Sequence, residues 1–94
     1  MLETVMRITA KYFSVSANDI KSKNRHKDIA VVRQVVFYFM KKLTFFSLQA
    51  IGSYVGGRDH STVVHAVHKI EDLMQKDRSF LVKLKNLENE IMSN

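Results

Sequence analysis

The densest run of hydrogen-bonding side chains in this sequence is Arg58-Asp59-His60-Ser61-Thr62, followed at helical spacing by His65 and Lys69. Carboxylate, imidazole, hydroxyl and amine groups so close together admit acid–base catalysis, metal ligation, or hydrogen bonding to a polar surface such as the edges of nucleic-acid bases. Catalysis finds little support. No Ser-His-Asp set or pair of carboxylates can be assembled from the spacing, and no GxxxxGK[ST] phosphate loop occurs, so no catalytic residue, cofactor or small-molecule substrate is expected. Metal binding is the stronger rival, because His65 and His68 stand three apart and could share an ion with Glu71, with His60 nearby. Against it, no histidine pair has i, i+4 spacing, the chain has no Cys, and Glu71 falls toward another side of the helical wheel. No metal is therefore expected. What remains is base and phosphate recognition: a carboxylate accepts from the exocyclic amine of cytosine, and free N–H groups at a helix start favour phosphate oxygens. A plainer reading makes Asp59 an N-cap and the rest a solvated face, and spacing alone favours it.

The elements that must carry these groups are helical. Pro is absent and Gly is confined to Gly52, Gly56 and Gly57, so few positions force a turn. Apolar positions from Leu2 to Phe13 predict a first helix ending near Ser14, and Ser16 with Asp19 has the form of a capping box opening a short helix over 17–21. Ser22 to Lys27 has no apolar anchor and reads as an exposed loop. Asp28 is expected to cap a long helix to about Leu43, apolar around most of its girth and central to the core. Ser47 is expected to cap a helix over 48–55, which Gly56-Gly57 stop by supplying positive φ. A further helix from near Asp59 to about Gln75 stripes Val63, Ala66, Val67, Ile70, Leu73 and Met74 on one side, with Ser61, His65, His68 and Asp72 opposite. The last helix sets Phe80, Leu84, Leu87 and Ile91 at a and d spacing, a seam for the chain's own core or for a partner helix. The whole reads as one all-α domain over 1–94, a bundle of about six helices. A short capped helix, a glycine turn and an amphipathic helix are the sequence form of a helix-turn-helix, whose second helix enters the major groove.

Charge agrees with that reading. The 94 residues carry 15 Lys and Arg against 9 Asp and Glu, a net charge of +6. The excess is concentrated: Lys21, Lys23, Arg25, Lys27, Arg33, Lys41 and Lys42 face only Asp28 between positions 21 and 42. Such an imbalance suits a polyanion, nucleic acid ahead of an anionic membrane. No apolar run is long enough to span a bilayer, and the N-terminus lacks the basic and apolar regions of a secretory signal, so a cytosolic setting is expected.

The run from Gly56 to Ala66, Gly-Gly-Arg-Asp-His-Ser-Thr-Val-Val-His-Ala, resembles the signature of the C-terminal DNA-binding domain (domain IV) of the DnaA replication initiators, usually GGRDHTTVLHA. Ser22-Lys23-Asn24-Arg25 is similar to that family's basic loop, and Arg33-Gln34 to its Arg-Gln pair early in the long helix. The resemblance covers nearly the whole chain and weakens after about Gln75. It implies an all-α fold of the Trp-repressor and DnaA domain IV kind that binds A·T-rich double-stranded DnaA boxes, in replication initiation or its regulation, near the nucleoid. It implies major-groove base contacts from Asp59, His60 and Ser61, and a minor-groove contact from Arg25. Phosphate contacts are implied for Arg33, Gln34, Thr62, His65 and Lys69, with Lys23, Lys27 and Arg58 adding to them. Phosphate contacts fix register and groove contacts specify sequence, so the division is physically sound. Ser61 stands where Thr is usual, and Asn24, Val31 and Val32 stand where the family commonly has a basic residue, a basic residue and Pro. The chain is expected to be either an excised domain or a freestanding DnaA-like regulator. The alternative is a protein-interaction module acting through its C-terminal helix. No oligomer is implied.

Overall fold

Four of the six helices begin where a short polar side chain catches a free backbone N–H. The computed structural model describes residues 1–94 as α1 (Leu2–Tyr12), α2 (Ala17–Lys21), α3 (Lys27–Leu43), α4 (Leu48–Tyr54), α5 (His60–Lys76) and α6 (Arg78–Met92), with no strand. Ser16 Oγ accepts from the Asp19 N–H at 2.9 Å and Ser47 Oγ from the Ala50 N–H at 3.0 Å. Asp59 Oδ1 accepts from the Thr62 N–H at 3.0 Å and Asp77 Oδ1 from the Phe80 N–H at 3.1 Å. Each cap satisfies a donor that the helix itself leaves open.

Besides α4, which stops one residue short of 55, two boundaries differ from the sequence expectation. Asp28 is not the cap of α3: the helix begins at Lys27, with His26 at the cap position and no side-chain capping bond. Asn24 Oδ1 accepts from the His26 N–H at 2.8 Å, and this local turn delivers the backbone into helix before Asp28, whose carboxylate then lies in the first turn. The first helix ends at Tyr12 rather than near Ser14 because Ser14 adopts φ 57°. The Ser14 N–H donates to the Lys11 carbonyl at 3.2 Å and the Val15 N–H to the Ala10 carbonyl at 3.0 Å, a pair of bonds that closes a helix through a left-handed residue.

The core is arranged around α3, where Val35, Val36, Phe37, Phe39 and Met40 are almost wholly enclosed. It packs against α1, α2, α4 and α5, while α6 closes across α1 and α5. Leu84, Leu87 and Ile91 of α6 are buried in the same cluster and Phe80 is half-buried against it. The seam of α6 therefore serves the chain's own core, and no free apolar stripe remains there for a partner helix. Lys42 of α3 bonds Glu88 of α6 at 3.0 Å across the outer edge.

Close approach of α4 to the lead-in of α5 sets the helix-turn-helix. The Arg58 N–H donates to the Gly52 carbonyl at 2.8 Å, and a Cβ on Gly52 would run into the Arg58 carbonyl oxygen. Gly56, at φ 78°, both turns the chain and lies against the Lys21 carbonyl, where a Cβ would clash again. The turn before α5 is thus pressed against the end of α2.

Ser14 is the one non-glycine residue with positive φ, and it is exposed. Ser14→Gly is expected to raise unfolding stability by roughly 1 kcal/mol, since a β-carbon disfavours this conformation by about that much. Urea denaturation measures it, and a loss of stability would show that the serine is not strained there.

Candidate nucleic-acid interface

Along α5 the apolar side, Val63, Ala66, Val67 and Ile70, is buried, and the other side leaves His60, Ser61, Thr62, His65 and Lys69 exposed. Asp59 is at once the N-cap and a member of this polar face. Its Oδ1 takes three donors: the Ser61 hydroxyl at 2.8 Å, the Thr62 N–H at 3.0 Å and the Thr62 hydroxyl at 3.1 Å. Those bonds, the Ser61 hydroxyl foremost, hold the carboxyl below its ordinary value, so it stays ionised. Oδ2 takes part in none of them. The capping and recognition readings of Asp59 thus fall on different oxygens. With their hydrogens turned to Asp59, the hydroxyls of Ser61 and Thr62 offer lone pairs outward, and Thr62 must turn its hydroxyl to donate to a phosphate.

Between α3 and α5 a cleft of about 310 Å³ is walled by Arg33, Gln34, Arg58, Thr62, His65 and Lys69, and no carboxylate lines it. The Gln34 Oε1 is enclosed there with no hydrogen-bond partner. The NH₂ group on the other arm of the same carboxamide is the donor that an incoming phosphate oxygen requires. Lys69, His65, the Gln34 amide and the Thr62 hydroxyl make a seat for an anionic oxygen there, and Arg33 and Arg58 add positive potential with no counter-charge to oppose it.

Arg33 and Arg58, which also line this cleft, have most of their donors engaged by backbone carbonyls. Arg33 is only 8% exposed. Its Nε donates to the Ile20 carbonyl at 2.6 Å, and its Nη2 serves the carbonyls of Asp19 at 3.1 Å, Ser22 at 3.0 Å and Asn24 at 3.0 Å. Arg58 Nη1 reaches the carbonyls of Val55 at 2.9 Å and Lys21 at 3.3 Å, and its Nη2 that of Ser22 at 2.7 Å. The end of a five-residue helix leaves several carbonyls without intrahelical partners, and these guanidinium groups fill them. Burial, and then the charge of Arg58, push Arg33 below its ordinary guanidinium value; burial does the same to Arg58. Arg33 Nη1 is the guanidinium nitrogen of that residue left without a protein acceptor.

Arg25, Lys23 and Lys27 behave differently. All three are exposed on the loop and the first turn of α3, and none joins the carbonyl network. The loop that sequence alone left as a solvated connection is ordered from within: Ser22 Oγ donates to the Asp19 carbonyl at 2.8 Å and accepts from the Asn24 N–H at 3.1 Å. No reading of the residues signalled these bonds, because each pairs the Ser22 hydroxyl with a backbone group, the Asp19 carbonyl or the Asn24 N–H. The histidines suggested as metal ligands do not gather, and no three His, Asp or Glu side chains meet at a metal-sized site. No helix is long and apolar enough to cross a membrane.

Comparison with known proteins agrees with the helix-turn-helix. The profile of a family described as "Bacterial dnaA protein helix-turn-helix" matches residues 2–70. Over 94 residues, 98% of the chain, the sequence is 44% identical to the chromosomal replication initiator protein DnaA of Chlorobaculum tepidum. The chain spans 19% of that relative's length.

The state of Asp59 carries a consequence for stability. Its folded pKa lies below the unfolded value, so its contribution is complete above the ordinary carboxylate range and disappears as pH falls through the lowered folded value. Thermal melts between about pH 6 and pH 2 should show a shallower acid limb for Asp59→Asn, which keeps a capping oxygen and does not titrate. An unchanged acid limb would mean that the three bonds to Oδ1 do not favour the ionised form.

Proposed function

Because the chain belongs to the family of bacterial DnaA helix-turn-helix domains, we propose that it is a non-catalytic reading head for double-stranded DNA carrying A·T-rich, DnaA-box-like elements of the form TTATNCACA. In this reading the N-terminal part of α5 lies in the major groove, where Asp59 Oδ2, His60 and Ser61 meet base edges. Arg25 enters the neighbouring minor groove, whose narrow A·T form concentrates negative potential. Gln34, Thr62, His65 and Lys69 seat a phosphate in the cleft, and Lys23 and Lys27 meet the backbone beside the loop.

The observation that carries the proposal is the tie between the two readers. The loop bearing Arg25 and the turn that opens α5 meet on the Ser22 carbonyl, with a cation-lined cleft alongside. Exposed groups suited to bases flank a site suited to phosphate, as a composite DNA surface demands. Replication initiation, the activity named for the longer relative, and regulation by competition for the same boxes both use such a head. A place at the nucleoid follows from DNA binding.

Fluorescence anisotropy with a box duplex and a scrambled duplex tests this directly. The box should bind more tightly at moderate salt, and equal affinities would refute specific recognition. With the two network arginines engaged internally, Lys23, Arg25, Lys27 and Lys69 are the exposed cations that the proposal sets against DNA. Four released counterions give a log–log salt slope of about −4.

Within α5, specification and positioning should separate. His60→Ala is expected to reduce discrimination between the box and a mutated box by roughly tenfold, and Lys69→Ala to weaken both about equally. If Lys69→Ala altered base preference instead, the assumed orientation of α5 in the groove would be wrong.

A further inference from the structure

We infer that Arg33 and Arg58 are positioning residues for sequence recognition: by holding the Ser22 carbonyl together, they set the placement of the Arg25 loop relative to the start of α5. This rests on the DNA-reading function proposed above, and it gives the two arginines a role beyond the phosphate contacts that the family resemblance implies.

The loop from Ser22 to His26 has no buried apolar residue, so packing cannot place it. Its location depends on polar bonds. Arg33 fixes it from α3 through the carbonyls of Ser22 and Asn24, and Arg58 fixes it from the turn through those of Lys21 and Ser22. Arg58 directly precedes Asp59, the cap of the recognition helix, so one residue joins both readers. Beyond Ser22 the loop carries its own supports, the Asn24 N–H on Ser22 Oγ and the His26 N–H on Asn24 Oδ1, which bracket Arg25. Neither arginine pairs with a carboxylate; their acceptors are carbonyls. Two like charges brought this close without a counter-ion form a costly arrangement, which the fixed fork of guanidinium donors offsets by serving several carbonyls at once. Lysine cannot reproduce that fork. DNA presents its two grooves at a set offset, so a loop held in place before binding avoids an ordering cost that a loose loop meets on the box and escapes on nonspecific DNA, where Arg25 needs no groove.

The test is a double-mutant cycle between Arg58→Lys and Arg25→Ala, with affinities measured on a box duplex and on a scrambled duplex. Arg58→Lys should weaken box binding by about fivefold or more and change scrambled binding by less than about twofold, because charge is retained. In the Arg25→Ala background, Arg58→Lys should cost less than about twofold on the box, since it acts through Arg25. Amide exchange at Asn24 and His26 should quicken in the free Arg58→Lys protein while α3 amides stay protected. Arg58→Gln, at a half-exposed position, shortens the side chain and removes the guanidinium fork; it serves if Arg58→Lys folds poorly, and beyond the equal loss on both duplexes that one missing charge brings, its further loss on the box should vanish in the Arg25→Ala background. Losses that multiply in the double variant, or that fall equally on both duplexes, would make Arg58 an independent contact and overturn the inference. A wild-type chain with no preference for the box would instead refute the DNA-reading proposal, and the inference with it.

Discussion

A five-residue helix followed by a polar loop cannot hold itself in place, and the structure depends on how its open carbonyls are satisfied. Arg33 from α3 and Arg58 from the turn before α5 converge on the carbonyls of Asp19 to Ser22, and both bond that of Ser22. An enclosed guanidinium without a carboxylate is stable only if its N–H groups find other acceptors, and unpaired carbonyls need strong donors. Each solves the other's problem. Because Arg33 sits within the helix that organises the core and Arg58 within the helix-turn-helix turn, the same bonds join α2, α3 and α5.

That constraint sorts the basic residues into two classes. Arg33 and Arg58 face inward and have most of their donors engaged, whereas Lys23, Arg25, Lys27 and Lys69 remain free at the surface. Only the second class can release counterions in proportion to its number. The first class still contributes positive potential to the cleft beside Gln34 and His65, where no acidic residue opposes it.

The helix α5 shows how one element can serve core and recognition together. Val63, Ala66, Val67 and Ile70 anchor it against α3, and the same periodicity turns His60, Ser61, His65 and Lys69 outward. Its start is set by Asp59, whose Oδ1 gathers the Thr62 N–H and the hydroxyls of Ser61 and Thr62. The cap also orders the first turn, so side chains suited to base edges leave a rigid helix start and need little further ordering on contact.

Local chemistry was enough to reveal most of the architecture. The apolar stripes, the caps Ser16, Ser47 and Asp59, and the Gly56-Gly57 stop act over one or two turns of chain, so six helices, a helix-turn-helix and the outward face of α5 were legible from residue spacing. The run from Gly56 to Ala66 carried the family, because recognition chemistry is concentrated in consecutive residues there. Contacts between distant segments were not legible. The α6 seam had two possible partners by spacing, and only packing against α1 and α5 decided for the chain's own core. Asp28 looked like a cap until the Asn24 turn started α3 earlier, and Ser14 carried no sign that it would take a left-handed conformation. Arg33 and Arg58 read as surface charge, since a sequence does not say which backbone carbonyls a guanidinium will meet across 11 or 36 positions. Sequence determined which groups the protein carries and on which helix face; tertiary structure decided which of them remain free to touch DNA, because burial and backbone pairing arise only when distant segments come together.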